Sequence, residues 1–296
     1  MENLRGAALM TFSMLAFAIE DVLIKTLGAR IPAGQIISII GAGGALAFAF
    51  WFIAKGQSVF VAAHLDRRVW LRGLFEVIGT MLFITALMRL DVTMLSAIIQ
   101  ATPLVVAMGG AVFLGQTVGW KRWTAILVGF VGVLIIIRPG MDGISVTTLI
   151  GVGGMLGLAG RDLATRAIKV PISGAHLSLH AFLLLIPAGL ALCFLNGHPI
   201  VAMSMSDSAI LVGCIAIALV AYLSIVAATR AGDAAFISMF RYTRMLFALF
   251  LGMVILHERP DVMTLIGVAI VIMAGLFTFI REAHARRTSQ ALTDPI

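Results

Sequence analysis

Residues 132–138, GVLIIIR, close a long apolar stretch, and residues 275–281, GLFTFIR, close another 143 positions later. The same interval recurs elsewhere. Asp21-Val-Leu-Ile-Lys25 is echoed by Asp162-Leu-Ala-Thr-Arg166 at a distance of 141, and Asp91 by Asp233 at 142. Any one of these matches is weak in a chain rich in Gly and Leu. Three at a nearly constant offset describe a duplicated unit.

The residues around these anchors define the medium. The chain has 296 residues, 61% hydrophobic and 12% charged, whereas a soluble protein carries about a quarter charged residues. That composition excludes a disordered chain, a disulfide scaffold and an ordinary soluble enzyme. A membrane helix needs about 20 mostly apolar residues. Ten stretches qualify: 5–27, 33–54, 69–89, 92–114, 120–138, 147–168, 175–195, 208–230, 234–256 and 260–281. Their separators carry charges or turn residues, among them Gln116 to Lys121, Arg138-Pro139-Gly140, Gly232-Asp233 and Glu258-Arg259-Pro260. Backbone groups in lipid must be satisfied within a segment, so helices are expected, and the alternation of a β-barrel is absent. The first stretch contains Glu20, Asp21 and Lys25 and lacks a small-residue cleavage site, so it reads as a retained span.

The expected fold is therefore all-α, with ten transmembrane helices in two five-helix repeats, 1–140 and 141–282, and a basic tail over 283–296. Five is odd, so the second repeat enters the membrane inverted. Inverted repeats are a known basis for alternating access. Of the 21 basic residues, thirteen fall on one side, including Arg67, Arg68, Lys121, Arg286 and Arg287. Four fall on the other: Arg30, Arg89, Arg138 and Arg259. The bias predicts cytoplasmic termini in a bacterial cytoplasmic (inner) membrane, with the tail near anionic lipid. Cys193 and Cys214 lie within spans and read as buried apolar residues.

The remaining basic residues, Lys25, Arg161, Arg241 and Arg244, lie within spans, where a charge is costly and usually faces a cavity or a partner. Arg241 and Arg244 are three apart and share a helical face. They read either as ion-pair partners or as a bidentate anchor for a substrate anion. Glu20 and Arg161 occupy equivalent repeat positions, which reads as an acid and a base on opposite cavity walls or as a direct ion pair. Glu76 is a proton-coupling candidate if it faces an apolar cavity, and otherwise neutralises Arg241 or Arg72. The i,i+4 pairs Asp21/Lys25 and Asp162/Arg166 read as charge neutralisation at helix ends or as symmetric gates. Gln100 and Tyr242, matched at 142 residues, and Tyr222 are candidate polar substrate contacts, with Pro103 kinking the fourth span beside Gln100. His176 and His180 have metal-pair spacing but lack a third ligand, so no metal and no cofactor is expected. Gly41, Gly43, Gly44, Gly109, Gly110, Gly153 and Gly157 mark close helix approach.

A fourth helix rich in small residues with a central Pro103, a short polar break and a fifth helix ending Gly-x5-Arg resembles the EamA family of the drug/metabolite transporter superfamily. The second copy, Phe236 to Arg281, keeps Glu258-Arg259 after its fourth helix. The first copy has Gln116-Thr117 there, and the second has Met245 in place of the central proline. The resemblance spans both halves. It implies ten helices and a central cavity lined mainly by helices 1, 3, 4, 6, 8 and 9. It leaves the substrate open, since members of that superfamily move amino acids, metabolites, nucleotide sugars and drugs.

The function expected from all this is secondary active transport of a small polar organic metabolite, an amino acid or similar zwitterionic or anionic solute. Export of cationic or lipophilic drugs or metabolites is the alternative. An intramembrane enzyme would need a nucleophile with a base or a metal cluster, and the sequence offers neither. Expected partners are the solute, membrane lipid and a proton or exchange counter-substrate, with a homodimer allowed and nucleic acid excluded.

Overall fold

The computed structural model describes residues 2–115, 119–138, 145–231, 236–237 and 239–293. Gln116, Thr117, Pro139, Gly140, Gly232 and the repeat anchor Asp233 lie outside the described residues. The described elements are helical: α1 (Glu2–Gly28), α2 (Ala33–Ala54), α3 (Arg67–Leu87), α4 (Val92–Gln100), α5 (Thr102–Leu114), α6 (Trp120–Ile137), α7 (Val146–Ala167), α8 (Gly174–Leu195), α9 (Met205–Arg230), α10 (Thr243–Ile255) and α11 (Val262–Thr293). Short 3-10 turns cover Ala62–Leu65 and Met239–Tyr242. Helix ends fall where the side chains can satisfy free amides. Asp66 accepts from Arg68 N–H at the start of α3, Ser173 from His176 N–H at α8, and Ser204 from Asp207 N–H at α9. Asp261 accepts from Thr264 N–H at α11 and pairs with Arg138.

Among the described residues, six segments are long and apolar enough to cross a membrane: α1, α2, α3, the run from α4 through α5, α8 and α9. The apolar parts of α6 and α11 are shorter, and α7 is diluted by Arg161, Asp162 and Arg166. The chain is a multi-pass membrane protein. Its backbone stays helical through Thr293, so residues 283–293 of the basic tail continue α11.

Contacts gather the chain into two compact units that cut across the sequence repeats. The first comprises 1–19, 91–144 and 220–296, and the second 20–90 and 145–219. In the first unit α4 packs on α10 and α6 on α11. Ala97, Leu104, Ile126, Met245 and Val271 form its buried core. A second cluster joins Met10 and Met14 of α1 to Ala228 and Ile237. In the second unit α3 packs on α7 and α2 on α8. The α3–α7 seam depends on missing side chains. A Cβ at Gly157 would lie 2.6 Å from Gly79 Cα, inside any allowed contact, so the two backbones touch directly.

Candidate functional site

Candidate residues divide between the two units. Gln100, Tyr222, Arg241, Tyr242 and Arg244 belong to the first, whereas Glu20, Asp21, Lys25, Glu76, Arg161, Asp162 and Arg166 belong to the second.

In the first unit the fourth span is interrupted beside Gln100, as Pro103 predicts. The helix stops at Gln100, and α5 restarts with Pro103 in its first turn, where no amide hydrogen is required. In the stretch expected as the ninth span, the matching position departs from α-helix without a proline. There the 3-10 turn Met239–Tyr242 leads into α10. A threonine closes each break in the same way. Thr102 Oγ1 donates to the Ile99 carbonyl at 2.5 Å, and Thr243 Oγ1 to the Phe240 carbonyl at 2.6 Å. The two breaks meet, because Gln100 Nε2 donates to the Arg241 carbonyl at 3.2 Å. Neither threonine stands out from sequence composition. Only reading both repeats at the offset of 141 would have paired them.

Around these breaks, Arg241 is exposed. Arg244 is half-buried, with its guanidinium carbon 5.3 Å from the centre of the Phe17 ring, a cation–π arrangement. Phe240 packs edge-on to Phe236 with ring centres 5.5 Å apart. Phe17 was not a sequence candidate, since one phenylalanine among eighteen carries no signal. Tyr242 departs from its expected role. Its ring is 4% exposed and lies over Gly275 of α11, where any Cβ would collide with the phenol. A ring enclosed in this way packs the unit instead of offering a face to a solute. Tyr222 is half-buried on α9.

In the second unit four charges form one network. Glu76 accepts from Arg161 Nη1 at 2.9 Å and pairs with Arg72 Nη2 at 3.1 Å. Arg161 Nε donates to Asp162 Oδ1 at 2.8 Å, and Arg72 Nη1 donates to the Leu177 carbonyl at 3.1 Å. This placement decides among the expected partners. Glu76 takes Arg72, one of the two neutralising partners expected for it, and Arg161 as well. Arg161 commits its fork to Glu76 and Asp162, not to Glu20. Asp162 takes Arg161 as partner in place of the i,i+4 Arg166, which is exposed on the last turn of α7. The reason is common to all three: the close α3–α7 seam brings Glu76 within reach of Arg161, and a guanidinium fork can serve two carboxylates. Of the other gate pair, Lys25 donates to the Leu90 carbonyl and Asp21 is buried. Glu20 is half-buried on α1.

Glu258 plays an architectural part. Its carboxylate accepts from Val92 N–H at 2.6 Å, Thr93 N–H at 3.1 Å and Thr93 Oγ1 at 2.9 Å. The segment after α10 thereby caps α4, whose own Asp91 makes no capping bond. Among the described residues no three ligating side chains converge on a metal position. Both cysteines are buried and unpaired.

Known proteins resemble this chain over nearly its whole length. A riboflavin transporter of Rhizobium johnstonii is 23% identical over 283 residues, covering 95% of this chain and 93% of its own. An S-adenosylmethionine uptake transporter of Rickettsia bellii is 24% identical over 295 residues, with 95% of each chain covered. The pseudopaline exporter CntI of Pseudomonas aeruginosa is 22% identical over 275 residues, covering 91% of this chain and 94% of its own. A solved crystal structure shares the fold with a TM-score of 0.59 at 16% identity, covering 98% of this chain and 99% of that one. The profile of the EamA-like transporter family matches twice, over residues 4–138 and 148–280. With transporters among its relatives and the profile covering both halves, the chain belongs to the EamA-like transporter family.

Proposed function

We propose that this transporter moves a small polar organic metabolite bearing an anionic group, an amino acid or similar zwitterion, by secondary active transport with alternating access. The observation that carries the substrate class is the pair Arg241 and Arg244 at the interruption of the ninth span. One guanidinium is exposed and the other lies over Phe17, while Gln100 is tied to the same turn. Charges at such depth persist where they serve a cavity, a partner or a pathway. Interrupted membrane helices are a recurrent way to build solute sites. The relatives named for riboflavin, S-adenosylmethionine and pseudopaline support a metabolite as cargo.

The inverted-repeat reading, with repeats at 1–140 and 141–282, gains support from the double profile match and from the paired helix breaks. The basic-residue bias supports cytoplasmic termini in a bacterial inner membrane. We assign Glu76 to holding α3 on α7, and so expect Glu76→Gln to retain any proton-gradient dependence of transport.

The test is uptake by reconstituted vesicles after a thermal-shift screen of the purified protein against amino acids, organic anions and lipophilic cations. A ligand that prefers the folded state raises its unfolding temperature. Stabilisation by amino acids or organic anions is expected. Arg241→Ala and Arg244→Ala should then abolish both that shift and transport, with the protein still folded. Full transport by the double variant would refute the anchor. Stabilisation by lipophilic cations alone would transfer the assignment to drug export.

A further inference from the structure

The segment between α2 and α3 is held against the start of α8 by a column of rings. Phe52 stacks on His176 with centres 4.0 Å apart, and His176 lies 5.6 Å from His64. His64 stacks on His180 at 5.7 Å with planes 11° apart, and Trp70 meets His180 edge-on at 5.0 Å. His64 and His180 are each 8% exposed. All five belong to the second unit, and the proposed solute site uses none of them.

The hydrogen bonds fix where the protons are. Val61 N–H donates to His64 Nδ1 at 3.2 Å, so that nitrogen carries no hydrogen. His64 Nε2 then donates to the His176 carbonyl at 3.2 Å. His176 Nε2 donates to the Ser58 carbonyl at 3.0 Å, and its Nδ1 faces Ser173 Oγ at 2.7 Å. A serine hydroxyl can rotate its hydrogen away, so His176 fits this setting with one proton or two. His64 fits it with one only, because a proton on Nδ1 would point at the Val61 amide hydrogen.

Among the described residues, the hydrogen-bond partners of His64 are backbone groups and none is a carboxylate. From α3 the facing charge is Arg72, with Glu76 already bound to it and to Arg161. At the start of α3, Asp66 is engaged by Arg68 N–H, and Arg67 and Arg68 add positive charge. From α8 come His176 and His180, and the ring nitrogens of His180 have no hydrogen-bond partner among the described residues. From α2 comes Phe52, which is uncharged. A proton on His64 Nδ1 therefore displaces the Val61 amide and gains no bonded acceptor in return.

We propose that His64 is a proton-operated latch, its protonation releasing the 57–66 segment from the start of α8 as the pH falls. Imidazole is the side chain that changes charge between pH 5 and 8. The latch stands independently of which solute is carried.

The test is amide hydrogen exchange on the full-length protein in lipid nanodiscs at pH 7.5 and pH 5.5, with rates normalised to intrinsic exchange. In the wild type, protection of the Val61 amide should fall about tenfold at the lower pH, the scale of one lost hydrogen bond. His64→Asn presents a side-chain carbonyl oxygen in place of Nδ1 that does not titrate, and should show no step. His180→Phe keeps a stacked ring and should keep the step. Equal wild-type protection at both pH values, a step retained in His64→Asn, or a step lost in His180→Phe would each overturn the proposal.

Discussion

The charge network on α3 and α7 offers the most quantitative test of the packing. Glu76→Leu would leave the Arg72 and Arg161 guanidinium groups without their shared carboxylate. The side chains of Glu76, Arg72 and Arg161 are 14%, 11% and 28% exposed, so solvent screens them little. Removing one partner of a buried pair costs about 3–5 kcal/mol. Asp162 still neutralises part of Arg161, and helices unfolded within a membrane find substitute polar partners. Both considerations place the expected cost at the low end, about 3 kcal/mol, or roughly a hundredfold in the unfolding equilibrium. Arg161→Met should cost a similar amount. The double variant should be more stable than the sum of the singles by about 2 kcal/mol, because the two lost charges compensate each other. The assay is reversible unfolding by steric trapping in bicelles, run as a double-mutant cycle. Single-variant costs below about 1 kcal/mol, or a coupling within the additivity error of about 0.5 kcal/mol, would refute the reasoning.

The same unfolding measurement tests the glycine seam. Gly157→Val should destabilise by at least about 1–3 kcal/mol, since the added atoms meet the Gly79 backbone. Gly213→Ala on α9, where a Cβ meets nothing within 4 Å, should be neutral or stabilising by up to about 1 kcal/mol. Glu258→Ala should cost about 1–2 kcal/mol and raise hydrogen exchange at the Val92 and Thr93 amides, with Glu258→Gln in between. Unchanged exchange at those two amides would remove Glu258 from its capping role.

The amino-acid order by itself determined the solvent, the helical character and the duplication. These follow from local rules: an apolar run of membrane length must satisfy its own amides as helix, and a recurring pattern of anchors is visible without any contact. Pro103 likewise announced the break beside Gln100, because a missing amide hydrogen is a local property. The family resemblance was legible for the same reason, being carried by short motifs in each half.

What only the tertiary structure decided concerns partners distant in the chain. Nothing local links Glu76 to Arg161, 85 residues apart, since that contact exists because Gly79 and Gly157 let two helices touch. The break in the ninth span lacks a proline, and became evident through the Thr243 hydroxyl bond and its match at Thr102. The chain showed that Tyr242 lies near two arginines, while the fold turned its ring onto Gly275. A charge inside a membrane must find a partner or a purpose, and the sequence could list only the charges in need of one. Packing assigned Glu76 and Arg161 to each other and set Arg244 over Phe17 beside the junction of the two broken spans.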